Sequence, residues 1–459
     1  MFLLCGTLFC TILTAGCKKN FLDDKPSTAI LQPATLDEFQ GLLDNMDVIN
    51  TGSALATLAA DEYEFDSYEV WQSARTATER NSYVWARDLY AGEVNDAGDW
   101  NRPYASIFYA NNVLAGLEKI PVNSSNNNQW RQIKGWALFV RAYNYYELVR
   151  NFSPVYNQAT ASADLGVPLR LKPSIDVNLA RASVQQTFDQ IFTDLQQASA
   201  LLAKNLPFAN RNRPSKIAAQ ALFARIYLNM RNYAQAELHA DSTLNLYNKL
   251  IDYNTVSTDT YTPFETTNDE NIYSYTSHNY YYTCAGLFNP YTTIAPEVLN
   301  LYDSKDLRPA IYFLKQDDGT VVTKRNYFGA SNYPFTGLAT DEVYLIKAEC
   351  AARRNDAVTA VTYLNNLLIK RYPTDQYIPL VASSAQQALA QVLLERRKEL
   401  VWRGLRWDDL KRLNKEGANI TLTHQLDGKT YTLPPNDPRY VFPIPDNEIL
   451  LSGIEQNQR

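Results

Sequence analysis

Histidine is nearly absent from this chain. Of 459 residues only His239, His278 and His424 are histidine, and they lie far apart. Scattered imidazoles do not make a histidine-rich ligand set, so neither a metal nor a cofactor is expected. Cysteine is scarce as well: Cys5, Cys10 and Cys17 fall at the very start, and only Cys284 and Cys350 follow. Two cysteines cannot build a disulfide framework. A Cys284–Cys350 bridge is the most they offer, and Cys350, inside a helical pattern, reads as a small buried hydrophobe. An excess of positive charge is missing too. The chain carries 43 Lys and Arg against 49 Asp and Glu, a net charge of -6, which excludes the basic footprint of a nucleic-acid binder.

The signatures of catalysis are absent. There is no GxGxxG behind a strand, no P-loop, no HExxH and no CxxC pair, and no GxSxG elbow. Adjacent carboxylates occur at Asp61-Glu62 and Asp408-Asp409. Glycoside hydrolysis needs two acids facing each other across a cleft, and Asp408-Asp409 is expected to pair with Arg406 or Lys411 instead. These absences lower the expectation of an enzyme without excluding one. Long apolar runs are confined to Met1–Gly16, MFLLCGTLFCTILTAG, too short to span a membrane and similar to the apolar part of a secretory signal.

What the chain has is apolar bulk and aromatics. Hydrophobic residues make up 46% and suffice for a large core, and there are 31 tyrosines and 7 tryptophans. Helical periodicity predicts helices over Leu36–Met46, Tyr104–Glu118, Gln129–Asn151 and Val184–Leu202, the last capped by Ser183 with Gln186 in the capping-box position. Ile217–Leu250 has the tetratricopeptide length, with Ala224, Tyr227, Ala236 and Ala240 at packing positions. Ala348, Ala351, Ala360 and Leu364 repeat the spacing, and Arg231-Asn232 is matched to Arg354-Asn355 at the turn. Glu395–Leu413, ERRKELVWRGLRWDDLKRL, is helical with a kink or break at Gly404. Periodicity fails in the aromatic stretch Tyr63–Tyr104, read largely as ordered loop, and in 252–340. In the latter Asp317–Thr320 marks a hairpin, as Asp427-Gly428 does later. Tyr440–Ile454 is expected to be extended and packed back on the body. The fold class expected is mostly α: tetratricopeptide-like helical hairpins form one face, with a loop-rich insertion carrying short β hairpins. The helical scaffold covers about 104–250 and 338–415, and the loop-rich binding parts about 52–103 and 252–337.

Several stretches, taken in order, resemble the SusD/RagB family of nutrient-binding outer-membrane lipoproteins of Bacteroidota. They are Thr14-Ala15-Gly16-Cys17, similar to a lipobox and followed by KKNFLDDKPS; ALFVRAYNYYELVR at Ala137–Arg150; GVPL at Gly166–Leu169; Ala218–Ala240; LIKAECAAR at Leu345–Arg353; Glu395–Leu413; and FPIPDNE at Phe442–Glu448. Thr14 stands where leucine is usual, and Arg403 where an acid is common. The resemblance implies a signal peptide over 1–16, lipid attachment at Cys17, and one SusD-like domain over 17–459 at the outer membrane. It also implies a surface role without covalent chemistry, capturing a glycan for a SusC-type TonB-dependent transporter. The alternatives are a peptide- or protein-capturing relative and a surface glycoside hydrolase.

Sugars present apolar faces and polar edges, so their sites combine flat aromatics with hydrogen-bonding side chains. Two regions offer both: Trp71, Arg80, Asn81, Tyr83 and Trp85, and Asn279 with Tyr280, Tyr281 and Tyr282. On this reading Trp85→Ala weakens glycan binding and leaves stability nearly unchanged.

Overall fold

The structure, a computed structural model, describes residues 33–93, 98–174, 177–278, 280–282, 291–324, 327, 329 and 332–459. The signal segment, Cys17, Asn279 and Cys284 lie outside the described residues.

Helices dominate. Helix α1 (Leu36–Leu43) opens with a capping box, Thr35 accepting from the Glu38 N–H while the Glu38 carboxylate accepts from the Thr35 N–H. The aromatic stretch read as loop instead forms two short helices, α2 (Tyr68–Gln72) and α3 (Ala77–Tyr83). Too short to show a period, they are started by the side-chain caps Ser67 and Thr76. Helix α4 (Gly98–Leu117) begins before Tyr104, with Pro103 inside it. Its early start is anchored by Asp99, which accepts from Ser53 Oγ and from the Ala54 and Leu55 N–H groups.

Helix α5 (Asn127–Phe152) is buried on nearly all sides from Gly135 onward, between α4 and α6 (Val184–Leu201). The Ser183 capping box on α6 is as expected. Helices α7 (Lys216–Asn229) and α8 (Tyr233–Leu246) form the first hairpin, stacked on the second, α9 (Thr340–Arg353) and α10 (Ala357–Leu368). The two turns correspond in a register the dipeptide match misses by one residue. The left-handed turn residues are Arg231 (φ 61°) and Asn355 (φ 69°), followed by the helix caps Asn232 and Asp356. Arg231 thus corresponds to Asn355, the register that also superposes Ala224 on Ala348 and Ala236 on Ala360.

Helix α11 (Ala385–Glu399) ends before a turn holding Trp402 (φ 60°) and Gly404 (φ 66°), and α12 (Arg406–Lys415) follows, so the expected interruption is a full break. Asp408 pairs with Arg150 at 2.9 Å and Lys411 at 3.4 Å, and Asp409 with Arg396 and Arg412, while Arg406 is drawn away to Asp61. The last segment is only partly extended. Phe442 N–H bonds the Asn151 carbonyl at the end of α5, then α13 (Asp446–Ser452) forms.

Strands are short and, among the described residues, pair in twos. Thr51–Gly52 (β1) runs parallel to Thr276–Ser277 (β4). Tyr63–Phe65 (β2) pairs Thr292–Ile294 (β5), and Asn271–Tyr273 (β3) pairs Leu338–Ala339 (β8). The two expected hairpins are present: Phe313–Lys315 (β6) with Val321–Thr323 (β7), and Leu422–Leu426 (β9) with Lys429–Leu433 (β10). Asp427 and Gly428 both have positive φ, the twist a two-residue hairpin requires.

These pairings bind the loop-rich parts to the helices. Tyr273 and Tyr275 are wholly buried against α5, with the Tyr143 ring 4.4 Å from that of Tyr275 and the Tyr275 hydroxyl donating to Asn144 Oδ1. Arginines complete the lock. Arg371 bonds Glu270 from the loop-rich part and Glu399 of α11, each at 2.7 Å, and Arg308 bonds Glu395 and Glu399.

Candidate functional site

The second predicted cluster touches α3, the helix that carries Arg80, Asn81 and Tyr83. The Tyr281 hydroxyl donates to Asp99 Oδ2 at 2.7 Å and also bonds the Thr78 side chain on α3. Asp99 is the hub. Besides the α4 contacts already described, its Oδ1 lies 3.1 Å from His278 Nε2, and His278 Nδ1 accepts from the Tyr280 N–H. The ring therefore fixes the backbone from which Tyr280, Tyr281 and Tyr282 project. Burial alone would raise the Asp99 carboxyl, but His278 and the hydrogen bonds from Ser53 and Tyr281 outweigh it and hold it at about 2. Sequence reading missed both hub residues. His278 stands alone in sequence, and no spacing links it to Asp99.

The clusters divide by burial. Tyr83 and Trp85 are each 2% exposed. The Trp85 indole donates to the Ala59 carbonyl, and both rings pack on His424, at 3.9 and 4.6 Å between centroids. Tyr281 is equally buried. These three, expected to face ligand, are core residues, and the polar atoms of Trp85 and Tyr281 are already bonded. The Trp85 expectation is therefore corrected: its face is covered by protein. Asn81 is structural as well, its amide donating to the Leu89 and Ala91 carbonyls. Trp71 remains half-exposed. Its ring stacks on Tyr68 at 5.3 Å and 27°, and its indole donates to the Arg80 carbonyl, tying α2 to α3. Tyr280 and Arg80 are half-buried, and Tyr282 is 39% exposed. The chemistry still presented to solvent is thus the Tyr68–Trp71 pair and, on the segment that the Asp99 hub fixes, Tyr280 and Tyr282, while the Arg80 guanidinium donates to the Ala74 carbonyl.

Asp61 and Glu62 have the divergent ionisation of an acid–base pair. Asp61 is held at about 2 by Arg406 and Arg397 against the opposing effect of burial, while burial and then Asp61 push Glu62 up to about 7. Geometry denies them that role. Asp61 is gripped by both arginines, and Glu62, 3% exposed, accepts from the Trp402 N–H behind the surface. One carboxylate grouping with ligand spacing occurs among the described residues: Glu270, Asp341 and Glu399, with oxygens within 4.8 Å of one another. Arg371, Arg403 and Arg308 already neutralise them, so the grouping reads as an ion-pair core rather than a metal cage.

No helix among the described residues is long and apolar enough to cross a membrane. Two family models divide the chain. One described as "Starch-binding associating with outer membrane" matches residues 20–228, and one described as "SusD family" matches residues 252–458. A SusD-like protein P2 from Formosa agariphila is 24% identical over 76% of this chain and 77% of its own. Among solved structures, a SusD superfamily protein from Bacteroides thetaiotaomicron superposes with TM-score 0.72 at 23% identity, covering 93% of this chain and 100% of that one. A laminarin-binding SusD-like protein superposes with TM-score 0.66 at 18% identity, covering 91% and 97%. Tetratricopeptide-like hairpins, a loop-rich part locked onto them and two family models that between them run from residue 20 to residue 458 give one conclusion: the chain belongs to the SusD/RagB family.

Proposed function

We propose that the protein is a surface glycan-binding lipoprotein of the outer membrane, which captures an oligo- or polysaccharide and delivers it to a SusC-type TonB-dependent transporter. The signal peptide covers 1–16, and Cys17 carries the lipid. Each buried CH₂ of an acyl chain contributes about 0.8 kcal/mol to anchoring. The observation that carries the binding half is the half-buried Tyr68–Trp71 stack, tied through the Trp71 indole to Arg80, together with Tyr280 and Tyr282 on the segment that the Asp99 hub fixes. Stacked rings cover the apolar face of a pyranose while a guanidinium and phenols meet its hydroxyls. The family description of starch binding at the outer membrane supports the same reading.

Isothermal titration of the mature protein against a panel of polysaccharides tests it. Binding to at least one glycan is expected. A folded protein that binds none, and binds peptides instead, overturns the glycan assignment. Cys17→Ala is expected to move the protein from the membrane to the soluble fraction, and unchanged membrane association would refute the anchor.

A further inference from the structure

A cavity of about 420 Å³ opens between the C-terminal end of α4, the first half of α5 and residues 171–173. That volume is within the range of small-molecule sites. The cavity lies at the far end of α4 from Asp99, roughly 24 Å along the helix axis. Its floor is aliphatic, made by Leu114 and Leu117 of α4, Leu138 of α5, and Leu171 and Pro173. The polar side chains set into that floor are held by the protein itself. Arg141 gives Nε and Nη2 to Asp194 and Nη1 to Asn111 Oδ1. The Asn111 amide donates to the Arg170 carbonyl, and the Trp130 indole to the Leu117 carbonyl. None of these side chains is left to read the hydroxyls of a sugar.

The rim is different. Lys134 is half-buried, Lys172 is exposed, and both line the cavity. The Lys134 Nζ lies 4.8 Å from the centroid of the Trp130 ring. Among the described residues neither ammonium has a carboxylate or a hydrogen-bond acceptor as partner. Glu118, exposed, is the one acid among the lining residues. Asp194 neutralises Arg141, so two uncompensated cations face a single carboxylate. An aliphatic floor under a cationic rim is complementary to a molecule with an alkyl chain and an anionic head. Burial of the chain supplies affinity, and charge-assisted hydrogen bonds hold the head. We propose that this cavity binds an amphiphilic anion of the medium-chain carboxylate class, with its chain on the leucines and its carboxylate at Lys134 and Lys172. The cavity shares no residue with the Tyr68–Trp71 pair or the Asp99 hub, so it stands or falls apart from the glycan reading.

The test is isothermal titration of the mature protein with sodium acetate, hexanoate, octanoate and decanoate below their micellar concentrations, and with 1-octanol. Acetate has the head without the chain, and 1-octanol the chain without the charge. Saturable one-to-one binding is expected for the longer acids, tightening about fourfold with each added CH₂. Octanoate is expected to bind about tenfold more tightly than 1-octanol. Lys134→Gln is expected to weaken octanoate by about tenfold and to leave 1-octanol unchanged. Glu118→Gln removes the opposing charge and is expected to tighten octanoate about twofold; it serves if the first variant does not fold. Ala115→Leu narrows the cavity and is expected to weaken decanoate more than hexanoate. An affinity that is flat across the acids, 1-octanol binding as tightly as octanoate, or octanoate affinity unchanged in both charge variants overturns the proposal.

Discussion

Trp71 and Trp85 belong to one short stretch and stand in opposite environments. Trp71 is only half-buried, while Trp85 is 2% exposed with its indole bonded to the Ala59 carbonyl. Trp85→Ala is therefore expected to cost about 3–5 kcal/mol of stability through the cavity it leaves, read by urea denaturation. Trp71→Ala is expected to leave the midpoint nearly in place and weaken glycan binding by about tenfold or more. A glycan affinity that survives Trp71→Ala would remove the platform from the site. Glu62 gives a second test. Its carboxyl is raised from 4.5 to about 7 in the folded protein. The protonated form is favoured on folding, so this contribution is complete below about pH 4.5 and is lost as pH rises through 7. Glu62→Gln keeps an acceptor for the Trp402 N–H and is expected to stabilise the protein at pH 8 by on the order of 1–3 kcal/mol. Thermal midpoints at pH 5 and pH 8 read the difference.

At the scale of elements, the Asp99–His278–Tyr281 hub joins the start of α4 to β4 and to the tyrosines beyond it. The Asp99 carboxyl is depressed from 3.8 to about 2. Its contribution is present above about pH 4 and is lost as pH falls through 2, amounting to about 2–3 kcal/mol. Asp99→Asn is expected to lower stability at pH 7 by a similar amount and to flatten that acid limb. It is also expected to weaken glycan binding, because Tyr280 and Tyr282 lose their fixed backbone. An unchanged acid limb would show that Asp99 is not the hub. The short helices α2 and α3 were not legible as helices, since a five-residue element such as Tyr68–Gln72 shows no period. Only the Ser67 and Thr76 caps mark them.

For the whole molecule, Arg371 is the rivet between the loop-rich part and the helices. It is fully buried between Glu270 and Glu399, 2.7 Å from each. Arg371→Met takes the ion-pair partner from buried Glu270 and leaves Glu399 with Arg308 alone, and is expected to cost about 3–5 kcal/mol, seen as a lower urea midpoint. A loss below about 1 kcal/mol would show that the two parts hold together without it. The same lock explains the fate of the tyrosines. Abundant tyrosine suggested recognition, yet Tyr143, Tyr145, Tyr146, Tyr273 and Tyr275 are buried and bonded within the core.

The sequence by itself determined what repeats or is local in the chain. The hairpin spacing of Ala224, Ala236, Ala348 and Ala360, the Ser183 capping box, the Asp427-Gly428 turn and the break at Gly404 all follow from periods and turn chemistry within a few residues. Tertiary structure alone decided which aromatics stay in contact with water. Trp71 and Trp85 have the same chemistry and similar neighbours in sequence. Trp71 meets only near neighbours, Tyr68 and Arg80, whereas Trp85 is covered by Ala59 and the distant His424. The Asp99–His278 contact is likewise a product of distant segments brought together, which no local pattern encodes.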